Sequence, residues 1–368
     1  MLIKPTHISE ALRIFRRSLK VRVSGFKKYD GDAKEICERI INDCFNGKYF
    51  QTSTGHFCQF WTRDFGMCAE SLVKLGYKKE VGMTLEYALE RFSTANKITT
   101  TITPKGKPFN FPRFAVDSIP FLIHAIKISG RIDLIKKYNY FLIKEVQFYF
   151  EKVFDPLTSM VRQNVHFSSI KDHYVRNSAT YDNCMLVMLK NDLNELKLYN
   201  LFNHFDIELA IKKNLWNKEY FYEDMNKKDM ITGDANTYPH FCLVFRSTEK
   251  IDMMKACLKS IKSEGLDSPF PLKYTKENVK KGSLLSEKLV NGYEGNAIWM
   301  HMGLCFLLSL KRLGFDEYKK YLEEYTKLIE KHKTFLEVYS PDGEVFKSPF
   351  YVCDEGMLWA SMYLELIE

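Results

Sequence analysis

The sequence predicts an all-α fold, an (α/α)6 toroid in a single domain with only minor β structure in its loops. Three observations predict it. Amphipathic helical periodicity recurs along nearly the whole chain. The linkers between periodic segments alternate between very short and long. A new helix pair begins at a roughly regular interval, about every 55–65 residues, as expected of a repeated supersecondary unit.

The periodic segments fall at roughly 32–46, 63–76, 79–95, 117–129, 131–153, 174–195, 199–215, 239–247, 249–263, 294–313, 315–332 and 355–367. Four linkers are minimal: Gly76-Tyr77-Lys78, Gly130, Ser247-Thr248 and Gly314. Three of them place a glycine just past a helix end, where a residue tolerant of positive φ fits cheaply. The long linkers, 47–62, 96–116, 154–173, 216–238, 264–293 and 333–354, carry the aromatic, proline and acidic residues. Hairpins joined in this way put tight turns at one end and long loops at the other. Six of them close into a ring with one helix of each pair inside. The helices after the long loops are the expected inner ones. AIWMHMGLCFLLSL is nearly continuous apolar sequence, whereas its partner FDEYKKYLEEYTKLIEKHK is striped with charge. An open helical solenoid would require sequence-similar repeats, and none is evident beyond the spacing. Short ribbons are expected at FYED (221–224) and EVF (344–346). Residues 1–30 precede the first hairpin and are expected to pack as an extension on the barrel domain, 31–368.

The 368 residues are 45 % apolar and 14 % aromatic, enough to fill one large core, and no linker-like tract divides them. The formal charge is +8, but the cations are spread among 46 acidic residues. Their densest patch, Arg16, Arg17, Lys20, Arg22, Lys27 and Lys28, is expected to be a solvated face, so no nucleic-acid partner is expected. Nine cysteines, an odd number without a CxxC, suit buried free thiols in a reducing cytosol. Charges interrupt every apolar run near the N-terminus, and no window approaches the roughly twenty apolar residues of a membrane span. A cytoplasmic protein without a membrane partner is expected.

The expected inner helices open on similar residues: Trp61-Thr62-Arg63-Asp64, Arg113 to Asp117-Ser118, Lys171-Asp172-His173-Tyr174, Gly233-Asp234-Ala235-Asn236, Tyr293-Glu294-Gly295-Asn296 and Cys353-Asp354-Glu355-Gly356. Capping of free backbone amides explains an acidic or amide residue at any one of these places. It does not explain the accompanying Trp61, Arg63, Arg113, Tyr293 and Trp299. Carboxylates, arginines and aromatics around one mouth suit a polyhydroxylated ligand, so a carbohydrate substrate is expected. Hydrolysis of a glycosidic bond needs two carboxyl groups in different environments, one protonated and one ionised. The nine histidines show no HxxxH or HxH spacing, and no GxGxxG, GxxxxGK[ST] or GxSxG is present. No metal and no cofactor are therefore expected.

These loop motifs resemble those of the six-hairpin glycosidases, the group of glucoamylase-like enzymes, amylo-α-1,6-glucosidase domains, neutral invertases, trehalases and glucosylglycerate hydrolases. FWTRDFGMCAESLVKLGY (60–77) is similar to the segment that opens an inner helix and binds the terminal sugar. FAVDSIPFLIHAIKISGRIDL (114–134) resembles the Val-Asp-Ser helix of the invertases, and GDANTYPHF (233–241) and GYEGNAIWMHMGL (292–304) resemble short signatures of bacterial and archaeal members. The resemblance runs from about residue 58 onward.

It implies a general acid before the third inner helix, in Ser169-Ile170-Lys171-Asp172, and a general base in Phe335-Leu336-Glu337-Val338-Tyr339. Asp172 and Glu337 are the implied pair, with Asp117 as the alternative acid and Glu355 or Glu294 as the alternative base. Arg63 and Asp64 would hold glycone hydroxyls, with Trp61 and Trp299 as stacking walls. Arg113, Asp117, Arg176, Asn236, Tyr293, Glu294 and Glu355 complete the expected substrate-binding set. Lys171 departs from the group, which carries an apolar residue there; an ammonium beside Asp172 would lower its pKa. The chain is short for the group, and the extra β-rich domain that many members carry is not expected in it, which favours a small substrate or a short exposed chain end. The expected function is an inverting, exo-acting glycoside hydrolase on an α-glucosidic or related small glycoside. An epimerase, lyase or phosphorylase on the same scaffold is the alternative, an epimerase relying on His166, His173 or His240. A non-catalytic carbohydrate-binding protein is the third reading.

Overall fold

The computed structural model describes residues 5–279 and 290–368, so the stretch 280–289 of the loop expected over 264–293 lies outside it. Thirteen helices are present among the described residues. Six form the inner ring: α3 (Thr62–Lys74), α5 (Ser118–Ser129), α7 (Thr180–Glu195), α9 (Gly233–Phe241), α11 (Met300–Arg312) and α13 (Ala360–Ile367). Each packs on the next, and α13 returns to α3, which closes the ring. Six lie outside it: α2 (Ala33–Cys44), α4 (Lys78–Thr94), α6 (Ile132–Val153), α8 (Ile207–Leu215), α10 (Glu249–Glu264) and α12 (Glu317–His332). The helix that precedes the barrel is α1 (Pro5–Ser24).

Inner and outer helices bury different amounts of themselves, as their sequences require. In α11 every residue from Met300 to Leu310 is buried. In α12 only Tyr321, Tyr325 and Ile329 are, a single stripe spaced by four. Each large side chain so enclosed contributes about 1.5–3 kcal/mol relative to leaving it in water. The tight turns form as expected: Gly130 ends α5 at φ +70° and Gly314 follows α11 at φ +79°. Asp32 and Glu35 form a capping box at the start of α2.

The sheets are small and all in the loops. β1 (Phe60–Trp61), β2 (Thr101–Ile102) and β3 (Pro108–Phe109) make one antiparallel sheet, with Trp61 opposite Thr101. β4 (Phe154–Asp155) pairs with β5 (Met160–Val161). β6 (Ile298–Trp299) pairs with β7 (Val338–Tyr339), tying the segment that leads into α11 to the residue after Glu337. The ribbons expected at 221–224 and 344–346 are reduced to isolated bridges, Phe221 with Trp216, Tyr222 with Ile231 and Val345 with Tyr339.

α1 was not among the expected helices. It ties itself to the loop end of the barrel: His7 Nε2 donates to the Asn110 carbonyl at 2.9 Å, Arg13 Nη1 to the His56 carbonyl at 2.5 Å, and Val352 N to Ser18 Oγ at 2.7 Å. Its buried face holds Thr6, His7, Ser18 and Val21, while Ile8, Leu12, Phe15, Leu19 and Val23 form an exposed apolar stripe. All nine cysteines are free; eight are buried and Cys58 is partly so. No described helix is long and apolar enough to cross a membrane.

Candidate active site

The long loops enclose a cavity of about 430 Å³. Its floor comes from the barrel: Arg63 and Asp64 in the first turn of α3, Trp299 and His301 at the start of α11, and Trp359 at the N-cap of α13. Trp61, at the end of β1, adds an aromatic wall. Among the described residues no inner helix has a side-chain hydrogen bond from its N-cap residue. Capping therefore does not account for the acidic residues at these helix starts; they bond to one another's loops.

Glu337 is buried in the loop between α12 and α13. Its Oε1 accepts from the Tyr293 hydroxyl, and its Oε2 accepts from the Tyr351 hydroxyl at 2.5 Å and from Asp354 N at 2.8 Å. Burial, and then the neighbouring Asp354 carboxylate, push its pKa up to about 8, against the pull of these three donors. Asp354 is itself fixed by Ser53 Oγ at 2.5 Å and by the backbone N–H groups of Phe57 and Glu355 at 2.8 and 2.9 Å.

Asp172 stands in the loop before α7. In a ring of six, α7 and α13 are three places apart, so the two loops face each other. Asp172 Oδ1 accepts from Ser168 Oγ at 2.7 Å and lies 3.7 Å from Arg63 Nη2. Glu294 accepts from Asp172 N at 2.9 Å and His173 N at 2.7 Å, and burial raises its pKa. Tyr293 and Glu294, adjacent in sequence, thus turn to opposite sides, one to Glu337 and one to Asp172.

The floor is polar and partly unsatisfied. Trp359 Nε1 donates to Asp64 Oδ1 at 3.0 Å, and burial raises the Asp64 pKa to about 6. His301 is pushed down to about 3 by burial, so its ring is neutral, and neither ring nitrogen has a partner among the described residues. A neutral imidazole so placed can both donate to and accept from a ligand hydroxyl.

Of the residues expected at the site, Trp61, Arg63, Asp64, Asp172, Tyr293, Glu294, Trp299 and Glu337 line the cavity. Five do not, four of them because another group claims them. Asp117 is completely buried beneath the site, 2.6 Å from Arg63 Nε and 2.9 Å from the Tyr181 hydroxyl. Arg176 pairs with Asp234 at 2.7 Å. Asn236 holds Phe221 N and the Thr232 carbonyl. Arg113 lies by His166, and Glu355 accepts from Lys27 N with its pKa raised to about 7 by burial. Lys171 is buried and turned to Glu223, 2.6 Å away, with its ammonium 4.8 Å over the Tyr274 ring. Of the three candidate histidines only His173 lines the cavity.

Sequence reasoning missed His301, Tyr351, Trp359 and the α1 residues Glu10, Ala11, Ile14 and Phe15. A Trp-Met-His run at an inner helix start could have drawn attention to His301. Nothing local marks Tyr351.

No family model and no curated protein matches the chain. Solved structures do. A rhamnosidase from Klebsiella oxytoca with rhamnose bound is similar at TM-score 0.63 and 10 % identity over 92 % of this chain, which spans 64 % of the rhamnosidase's length. A mannosylglycerate hydrolase from Thermus thermophilus in complex with glucose is similar at TM-score 0.61 and 10 % identity, over 91 % of this chain and 99 % of that one. A structure described only as a wild-type glycosidase is similar at TM-score 0.64 and 10 % identity over 97 % of both chains. The closed ring of six inner and six outer helices and these likenesses together show that the chain has the (α/α)6 barrel fold of the six-hairpin glycosidases.

Proposed function

We propose that the protein is an inverting, exo-acting glycoside hydrolase that cleaves an α-glucosidic or related small glycoside with Asp172 as general acid and Glu337 as general base. One observation carries the reading: a single cavity holds these two carboxylates with unlike partners, on loops from opposite sides of the ring, above a floor of Trp, His, Arg and Asp. The structural neighbours with bound rhamnose or glucose support a monosaccharide unit at such a floor. The nine unpaired thiols support a reducing, cytoplasmic setting.

In this mechanism Asp172 gives its proton to the glycosidic oxygen as the bond to the anomeric carbon breaks. A water molecule attacks that carbon from the opposite face and loses its proton to Glu337, so the product anomer is inverted. Room for the water requires carboxyl groups about 6.5–9.5 Å apart. With its pKa raised to about 8, Glu337 is a stronger base than an ordinary carboxylate once ionised, so activity should climb as pH rises towards that value. The Tyr293 and Tyr351 hydroxyls and Asp354 N fix its oxygens, so it needs no reorientation.

The test is turnover of p-nitrophenyl glycosides, trehalose, sucrose, glucosylglycerate and maltooligosaccharides, with proton NMR of the first-formed anomer. Asp172→Asn and Glu337→Gln should each lower kcat by roughly 10²–10⁴ with the fold intact. Near-normal activity in either variant, or a retained anomer, removes the assignment. Glu294→Gln runs beside them, because Glu294 is the other carboxyl on the Asp172 side.

A further inference from the structure

We infer that the outer half of the cavity is a subsite for an apolar aglycone, and that the substrate is a glycoside of an alkyl or aryl alcohol. The inference rests on the glycosidase reading of the same cavity and names the leaving group that reading leaves open.

The two ends of the cavity differ in chemistry. The floor offers Arg63, Asp64 and His301, polar partners for hydroxyl groups, beside the Trp359 ring. The roof is set by α1, which brings Ala11, Ile14 and Phe15 over the opening, with Phe111 and Phe350 from the loops beside them. A second sugar placed there would give up its water and find no hydrogen-bond partner on Ala11 or Ile14, which is unfavourable for every hydroxyl it carries. Glu10 is the carboxylate that α1 turns to the cavity, and its Oε2 is already engaged by Gln59 Nε2 at 2.7 Å and Arg13 Nε at 2.9 Å. An alkyl or aryl group has none of these difficulties and removes apolar surface from water on both sides.

The apolar surface also continues outward. Phe15 lines the cavity yet is 37 % exposed, and it belongs to the stripe of Ile8, Leu12 and Leu19 on the solvent side of α1. A chain too long for the cavity would leave along that stripe.

The experiment uses n-alkyl α-D-glucosides from methyl to octyl, below their micellar concentrations, with kcat/KM from glucose release and affinity from isothermal titration. Affinity and kcat/KM should both rise by up to about fourfold per added methylene while the chain is being enclosed. Phe15→Ser and Phe350→Ser should each reduce the octyl-to-methyl ratio. Turnover with no dependence on chain length overturns the apolar subsite and leaves the hydrolase standing. Chain-length-dependent affinity without any glucose release keeps the subsite and removes the alkyl α-glucoside as substrate. Flat affinities in the titration overturn the subsite whatever the turnover.

Discussion

Glu337→Gln separates the two demands made on this residue. The carboxyl sits in a buried site that raises its pKa from 4.5 to about 8. Between those values the folded chain keeps a proton that the unfolded chain has released, so stability falls as pH rises through the window. At about 1.36 kcal/mol per pH unit, the full window corresponds to about 5 kcal/mol as an upper bound. Glutamine cannot ionise, so the variant lacks this dependence. At pH 5 the two proteins should differ little, or the variant should be weaker, because one of the two carboxyl oxygens that the Tyr293, Tyr351 and Asp354 donors share becomes an amide NH2, which cannot accept. At pH 9 the variant should be the more stable, with the gap closing steadily on acidification. Urea unfolding at pH 5, 7 and 9 measures this directly. Parallel stability-pH curves for the two proteins would refute the account of a carboxylate held against its own ionisation. The loss of kcat and the gain in alkaline stability should occur in the same substitution, as expected where activity requires an unfavourably buried charge.

Two further substitutions probe the same geometry. Asp354→Asn removes the charge that ranks after burial among the causes of the raised Glu337 pKa; the acid limb of kcat/KM should move to lower pH, and an unmoved limb argues against Glu337 as the base. Asp117→Ala leaves the Arg63 guanidinium buried without its closest carboxylate, which should lower stability by about 3–5 kcal/mol in denaturant titration; a change under about 1 kcal/mol would show that Asp172 alone satisfies it.

The ring was legible because loop length carries topology. Every long linker does lead into an inner helix, and Gly130 and Gly314 do adopt the left-handed turns that their positions imply. Helix starts were less legible, for a physical reason tied to the site. The polar segments 174–179, 294–299 and 355–359 share the helical period of the inner helices they lead into, yet the chain there stays in turns and β6, so the helices begin at Thr180, Met300 and Ala360. α9 shows the opposite error: Pro239, favoured in a first helical turn, sits inside a helix that began at Gly233. α1 was legible in the spacing of Ile8, Leu12, Phe15, Leu19 and Val23, yet it was not among the expected helices; what the sequence could not show is that this stripe faces outward while a partly polar face is buried. At the site, an acidic residue after a long loop was a sound signal for a position near the mouth. It could not tell Asp64, which reaches the cavity, from Asp117, which Arg63 and Tyr181 claim from below. That difference depends on which partner arrives from another hairpin, and one segment read alone does not contain it.

Closure of the ring by α13 against α3 also sets the order in which the fold can be completed. Met362, Leu364 and Leu366 are buried in the same core as Cys68, Ala69 and Leu72, from segments almost 300 residues apart, and α2 packs on both α12 and α13. During synthesis the first hairpins must wait, with one apolar flank uncovered, until α13 has left the ribosome. Contacts of such sequence separation form late and slow the final step. The nascent chain is therefore an open arc for most of its synthesis, and a chain interrupted before residue 360 would keep that flank exposed.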